Sequence, residues 1–131
     1  MAKILFCDDE IYRYECLVEL GILPKDTRFE SNALKCFDLL ETPNDYDEIW
    51  LDHDFNNQTH HYGVPVYDGE DLAYWLVQFK FEGLVKIHSM NSKGVRAMTD
   101  ILNRGSVKNI PVNLLDCLGT KLKWIGNGEE A

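Results

Sequence analysis

A chain of 131 residues that is 45% hydrophobic and 27% charged has an ordinary globular composition and is long enough to bury a core without metal or disulfide staples. Its net charge of -9 opposes nonspecific binding to duplex nucleic acid, which needs a Lys/Arg-rich face, and its apolar runs fall far short of the ~20 residues of a membrane span. The opening Met1-Ala2-Lys3 passes straight through Ile4-Leu5-Phe6 into acid, too brief an apolar region for a secretory signal, so one cytoplasmic domain over 1–125 with a flexible tail at 126–131 is expected.

Lys3-Ile4-Leu5-Phe6-Cys7 reads as a first strand, with Asp8-Asp9-Glu10 at its carboxyl end. Ile11 to Leu20 follows as a helix whose inner face is Tyr14, Leu17, Val18 and Ile11, stopped by Gly21 and Pro24. Thr27 to Glu30 is a polar edge strand. Ser31 caps a second helix through Glu41, in which Ala33, Cys36, Phe37 and Leu40 keep helical spacing. Ile49-Trp50-Leu51 is apolar on both faces, as in the buried strand of a parallel sheet, and ends abruptly in Asp52-His53-Asp54. The polar stretch from Phe55 to Tyr67, with His60 and His61, is too long for a mere connector; the two histidines read as solvated loop residues. Asp68 caps a third helix with Leu72, Trp75, Leu76 and Phe79 inward, closed by Gly83. Leu84 to Ser89 is a fourth strand ending in polar groups, followed by Met90-Asn91-Ser92. A fourth helix from Ser92 to Asn103 buries Val95, Met98, Ile101 and Leu102 and stops at Gly105. Val107 to Leu115 holds a fifth strand, and Asp116 to Trp124 reads equally as helix or strand. The four cysteines (Cys7, Cys16, Cys36, Cys117) lack any C-x-x-C pair and are expected as reduced thiols.

Alternating strands and helices imply an α/β doubly wound, five-stranded parallel sheet of flavodoxin-like order 2-1-3-4-5. In that order strands one, three and four are neighbours, and ligands bind outside their carboxyl ends. Asp8-Asp9, Asp52-His53-Asp54 and His88-Ser89-Met90-Asn91 would then share one cleft. So many carboxylates repel one another unless a cation sits among them. Oxygen ligands suit Mg2+ or Mn2+; the imidazoles widen the choice to Zn2+ as a weaker fit, or serve as general acid and base. Blander readings stand beside these: Asp8 and Asp9 as helix-capping acids, His53 and His88 as satisfied core histidines, Ser89 and Asn91 as turn residues. Arg13, near Asp9, is a candidate phosphate contact.

With these residues in place, the chain resembles the receiver domains of response regulators, and more closely their divergent branch, the cyclic-phosphate-processing receiver-like domain. The resemblance is carried by Ile4-Leu5-Phe6-Cys7-Asp8-Asp9-Glu10, Leu51-Asp52-His53-Asp54, Asp71-Leu72-Ala73-Tyr74-Trp75-Leu76 and Ile87-His88-Ser89-Met90-Asn91. It implies that Asp8 and Asp9 hold a divalent cation, that Asp52 is the carboxylate an ordinary receiver phosphorylates, and that Ser89 contacts the phosphoryl group. The divergent branch adds His53, Asp54, His88 and Asn91 to the same pocket and implies processing of cyclic phosphates such as RNA 2′,3′-cyclic ends. The resulting expectation is a phosphoesterase-like domain: Asp8, Asp9, Asp52 and Asp54 for the metal, His53, His88 and Asp52 for catalysis, Ser89, Asn91 and Arg13 for a phosphorylated nucleotide or RNA end. A protein partner is a further expectation. Two alternatives accompany it: a signalling receiver modified at Asp52, and a catalytically silent nucleotide- or protein-binding module. One departure weakens the signalling alternative, because Asn109-Ile110-Pro111-Val112 lacks the Lys-Pro with which ordinary receivers sense the phosphoryl group at the end of the fifth strand.

Overall fold

In the computed structural model, residues 2–55 and 67–114 are described. The elements run β1 (Ile4–Cys7), α1 (Ile11–Glu19), β2 (Arg28–Glu30), α2 (Ala33–Leu39), a 3-10 turn (Pro43–Asp45), β3 (Glu48–Leu51), α3 (Gly69–Gln78), β4 (Leu84–Ile87), α4 (Ser92–Arg104) and β5 (Lys108–Pro111). All five strands are parallel, in the expected order β2-β1-β3-β4-β5. Parallel strands need helical crossovers, and these cover both faces of the sheet.

Side chains of alternate residues divide between the faces. Leu5, Cys7, Ile49, Leu51, Val85 and Ile87 pack against Ala33, Cys36 and Leu40 of the α2 region, Leu72 and Leu76 of α3, and Met98 and Leu102 of α4. Phe6 and Trp50 face the other way, onto Cys16 and Leu17 of α1 with Leu23 and Leu114. The three described cysteines, Cys7, Cys16 and Cys36, are buried. Burial raises the Cys7 thiol well above its ordinary value, so it behaves as a small apolar core residue.

Several local details differ from the sequence reading. The cap of α2 is Asn32, whose side chain accepts the N–H groups of Leu34 and Lys35, while Ser31 N–H is taken by Glu30. Ile11 is half exposed and Phe79 lies at the surface. Helix α3 closes at Lys80, which adopts the left-handed φ of 55°, and not at Gly83. Gly83 instead allows a close backbone approach: a methyl group there would overlap the Asp47 carbonyl, which accepts Leu84 N–H at 3.1 Å to start β4. Asp68 caps α3 as expected, in a reciprocal capping box with Asp71. The expected loop with His60 and His61, Cys117, and the C-terminal segment and tail lie outside the described residues.

Candidate functional site

Strand register sets the site. Cys7 pairs with Leu51 and Leu51 with Ile87, so Asp8, Asp52 and His88 stand one residue further on, side by side at the carboxyl ends of three adjacent strands. Backbone hydrogen bonds continue through this row: Asp52 N–H donates to the Cys7 carbonyl at 3.1 Å and His88 N–H to the Leu51 carbonyl at 3.0 Å. All three share the parity of Phe6 and Trp50 and therefore belong to the α1 face. His88 is fully buried; its ring stacks on Phe6 at 4.6 Å and lies 5.8 Å from Trp50. Nε2 lies 3.0 Å from Asp8 Oδ2, and since a carboxylate can only accept, that nitrogen carries the hydrogen. Nδ1 is buried with no hydrogen-bond partner among the described residues.

Arg13, from the first turn of α1, reaches back over this row. Its Nη1 lies 3.0 and 3.2 Å from the two Asp8 oxygens and 3.5 Å from Asp52 Oδ2. Burial by itself would raise the Asp8 carboxyl, but the His88 hydrogen bond, Arg13 and the Glu10 N–H bring it below its ordinary value. Asp52 goes the other way. Burial and the neighbouring Asp8 charge push it up to about 6, against the pull of His88, Arg13 and the His53 N–H. Two adjacent buried carboxylates thus divide into one held firmly ionised and one poised near neutrality. Asp8, Asp9 and Asp52 each offer an oxygen within 4.8 Å of the others, a hard donor set that fits Mg2+ or Mn2+.

His53 has the opposite parity to Asp52 and lies on the other face, among the amino ends of α3 and α4. Nδ1 is 2.7 Å from Asp54 and Nε2 is 2.6 Å from Glu70, with Asp68 at 3.6 Å. Burial opposes charge on this ring, but the hydrogen bonds to Glu70 and Asp54 outweigh it and raise the imidazole above its ordinary value. A ring with a carboxylate at each nitrogen is clamped in place, and its charged form is favoured. Two glycines make room for it: a methyl on Gly94 would stand 2.6 Å from His53 Cδ2, and one on Gly69 2.8 Å from His53 Cα. Gly94→Ala is therefore expected to lose about 1–3 kcal/mol, read by urea unfolding; unchanged stability would mean that the ring is not fixed where these distances place it.

Asp8, Asp9, Asp52, His88 and Arg13 thus meet in one cluster. His53 and Asp54 form a second one with Asn91, Asp68 and Glu70, so the two imidazoles do not share partners, and Asp54 turns to His53 and not to the three-carboxylate group. Asn91 caps α4 through Gly94 N–H and donates to Asp54 at 3.4 Å. Ser89 Oγ accepts Asn91 N–H at 3.1 Å and lines a groove of about 370 Å³ with Ile87, Val95, Pro111 and Leu114. Asp68 and Glu70 had no place in the sequence reading of the site; the signal was Glu70 in the first turn of a helix that follows the long polar loop.

A parallel 2-1-3-4-5 sheet with a carboxylate row at the ends of β1 and β3 defines a receiver-like domain. Receiver structures share the fold. The receiver domain of the Francisella response regulator 1452 is 19% identical, with TM-score 0.59 over 98% of this chain and 100% of its own. A Burkholderia pseudomallei response regulator, whose structure holds a phosphorylated aspartic acid, a calcium ion and citrate, is 11% identical with TM-score 0.60 over 99% of this chain and 74% of its own. A CheY-like receiver domain from Methanospirillum hungatei JF-1 is 12% identical with TM-score 0.56 over 100% and 99%. No curated protein matches the sequence. Within the receiver class, the chain belongs to the cyclic-phosphate processing receiver domain family, whose model matches residues 3–104. No helix among the described residues is long and apolar enough to cross a membrane.

Proposed function

We propose that this chain binds and processes a cyclic or terminal phosphate, such as the 2′,3′-cyclic phosphate of a nucleotide or RNA end, with help from a divalent cation. The observation that carries the reading is the meeting of Asp8, Asp52 and Arg13 within 3.0–3.5 Å at the strand ends where doubly wound sheets bind ligands; the family description supplies the substrate class. Asp8 and Asp9 would hold Mg2+ or Mn2+, which when bound neutralises charge on phosphate oxygens.

Opening a cyclic phosphodiester forms one P–O bond to water and breaks one to the 2′ or 3′ oxygen; one proton leaves the water and one reaches the freed oxygen. Asp52, one strand over from Asp8 and 3.5 Å from Arg13 Nη1, would accept the proton that leaves the water and return one to the freed oxygen. His88, sealed beneath Phe6, is a positioning residue acting through Asp8. His53 positions from the opposite face: its backbone N–H donates to Asp52 Oδ1 at 2.8 Å. This reassigns both histidines from the direct proton shuttle expected of them.

The test is hydrolysis of a panel of 2′,3′-cyclic nucleotides and cyclic RNA ends with Mn2+ or Mg2+. Turnover is expected, and Asp52→Asn should lower it about 100-fold or more. Nucleotide binding without turnover would leave a silent binding module. A phosphoryl group added to Asp52 by acetyl phosphate would move the chain to the signalling receivers instead.

A further inference from the structure

Arg13 already contacts two of the three carboxylates that a divalent cation would use. One guanidinium nitrogen contacts both Asp8 oxygens and Asp52 Oδ2, while Asp8 and Asp52 belong to the group of acids placed to ligate a metal. A Mg2+ ion needs its oxygens at about 2.0–2.1 Å in octahedral geometry. It cannot share the same lone pairs with an N–H donor at 3.0 Å, and two cations side by side repel.

The carboxylates are fixed from other directions and do not depend on Arg13 for their placement. Asp8 keeps His88 Nε2 at 3.0 Å and the Glu10 N–H at 2.8 Å, and Asp52 keeps the His53 N–H. Arg13 is the movable member: its side chain is 26% exposed, against 0% for Asp8 and 6% for Asp52. Its long stem begins on α1, beside the rim.

We infer that Arg13 is the resident counter-cation of this cluster, that a divalent cation displaces it, and that the displaced guanidinium then binds an oxygen of the incoming phosphate. This deepens the proposed function and rests on it for the phosphate. A cation faces Asp8 and Asp52 in both states, and a planar fork suited to phosphate is released at the moment the metal enters. Metal and arginine therefore exclude each other at Asp8, and metal and phosphate assist each other.

Mn2+ titration by calorimetry and by the electron paramagnetic resonance of free Mn2+ tests the exchange without reference to turnover. Arg13→Gln is expected to bind Mn2+ roughly tenfold more tightly than the unmodified chain, and Arg13→Lys to stay near it. In the unmodified chain, phenylglyoxal labelling of Arg13, read by peptide mass, should quicken when Mn2+ is added; this measurement stands even if Arg13→Gln folds poorly. Equal or weaker Mn2+ binding by Arg13→Gln, labelling slowed by Mn2+, or no Mn2+ binding by any form would overturn the exchange. Exchange without hydrolysis of 2′,3′-cyclic nucleotides would sink only the enzymatic reading, and hydrolysis without exchange only this inference.

Discussion

Replacing Asp8 by Asn is expected to destabilise the fold by about 3–5 kcal/mol, the usual cost of breaking a buried charge pair on one side. Asp8 is fully buried, and its two oxygens accept from Arg13, His88 and the Glu10 backbone. An amide offers one neutral oxygen where three donors converge, and its NH2 group adds donors to a site already rich in them. The Glu10 N–H matters separately: Glu10 is the cap of α1, its own side chain makes no capping bond, and Asp8 Oδ1 accepts its backbone N–H at 2.8 Å. The exposed Asp100–Arg104 pair on α4, 63% and 80% accessible, provides the contrast, since a surface pair of this kind contributes little. Urea unfolding in EDTA reads both. A loss for Asp8→Asn no larger than that for Asp100→Asn would mean that Asp8 is not the acceptor joining these donors. The sign with pH follows from its lowered pKa: the stability Asp8 contributes is present above the ordinary carboxylate value and is lost as pH falls through the depressed one.

How much of this was legible in the sequence depends on which property is asked for. The order of elements was legible, because each buried strand stops at a charged or polar group: Cys7 before Asp8, Leu51 before Asp52, Ile87 before His88. Strand order then followed from the doubly wound pattern, and with it the meeting of Asp8 and Asp52. What was not drawn from the sequence is the face on which each group lies, although alternation along a strand determines it. Asp52 and His53 are consecutive, so they project to opposite sides of β3; Phe6, Trp50 and His88 share the other side from Gly69 and Gly94. The histidine pair therefore looks like one constellation in sequence and is two in space. Arg13 was visible as a candidate phosphate contact, but nothing local reveals that its guanidinium spans two carboxylates from separate strands. Likewise Glu70 reads as an ordinary first-turn acid favoured by the helix dipole until the tertiary fold brings His53 to 2.6 Å from it. The closing of α3 at Lys80 was hidden because Gly83 offered the more permissive residue; a lysine with φ 55° pays for its strain through the N–H bonds of Lys80 and Phe81 to Val77 and Leu76.

Asp52→Asn should act in the opposite direction to Asp8→Asn and stabilise the metal-free protein by about 2–3 kcal/mol at pH 7. Burial and the Asp8 charge raise Asp52 to about 6 from its ordinary 3.8, and each unit corresponds to about 1.4 kcal/mol. The sign follows from proton counting. Between about pH 4 and 6 the folded state binds more protons at this position than the unfolded state, so stability falls as pH rises through that window, and the penalty is complete above it. An amide has no such charge to bury, and it keeps an oxygen for the His53 N–H. The gain should therefore be small near pH 4 and reach its full size by pH 7, a profile that mere relief of crowding would not produce. Urea unfolding of both proteins at pH 4.5, 6 and 7.5 in EDTA measures it. A variant less stable than the parent at pH 7.5, or a difference flat with pH, would show that Asp52 is compensated in the folded state and not held at a cost. Under the proposed function the gain in stability would accompany a loss of turnover, the trade expected of a carboxylate kept in an unfavourable place for a chemical role.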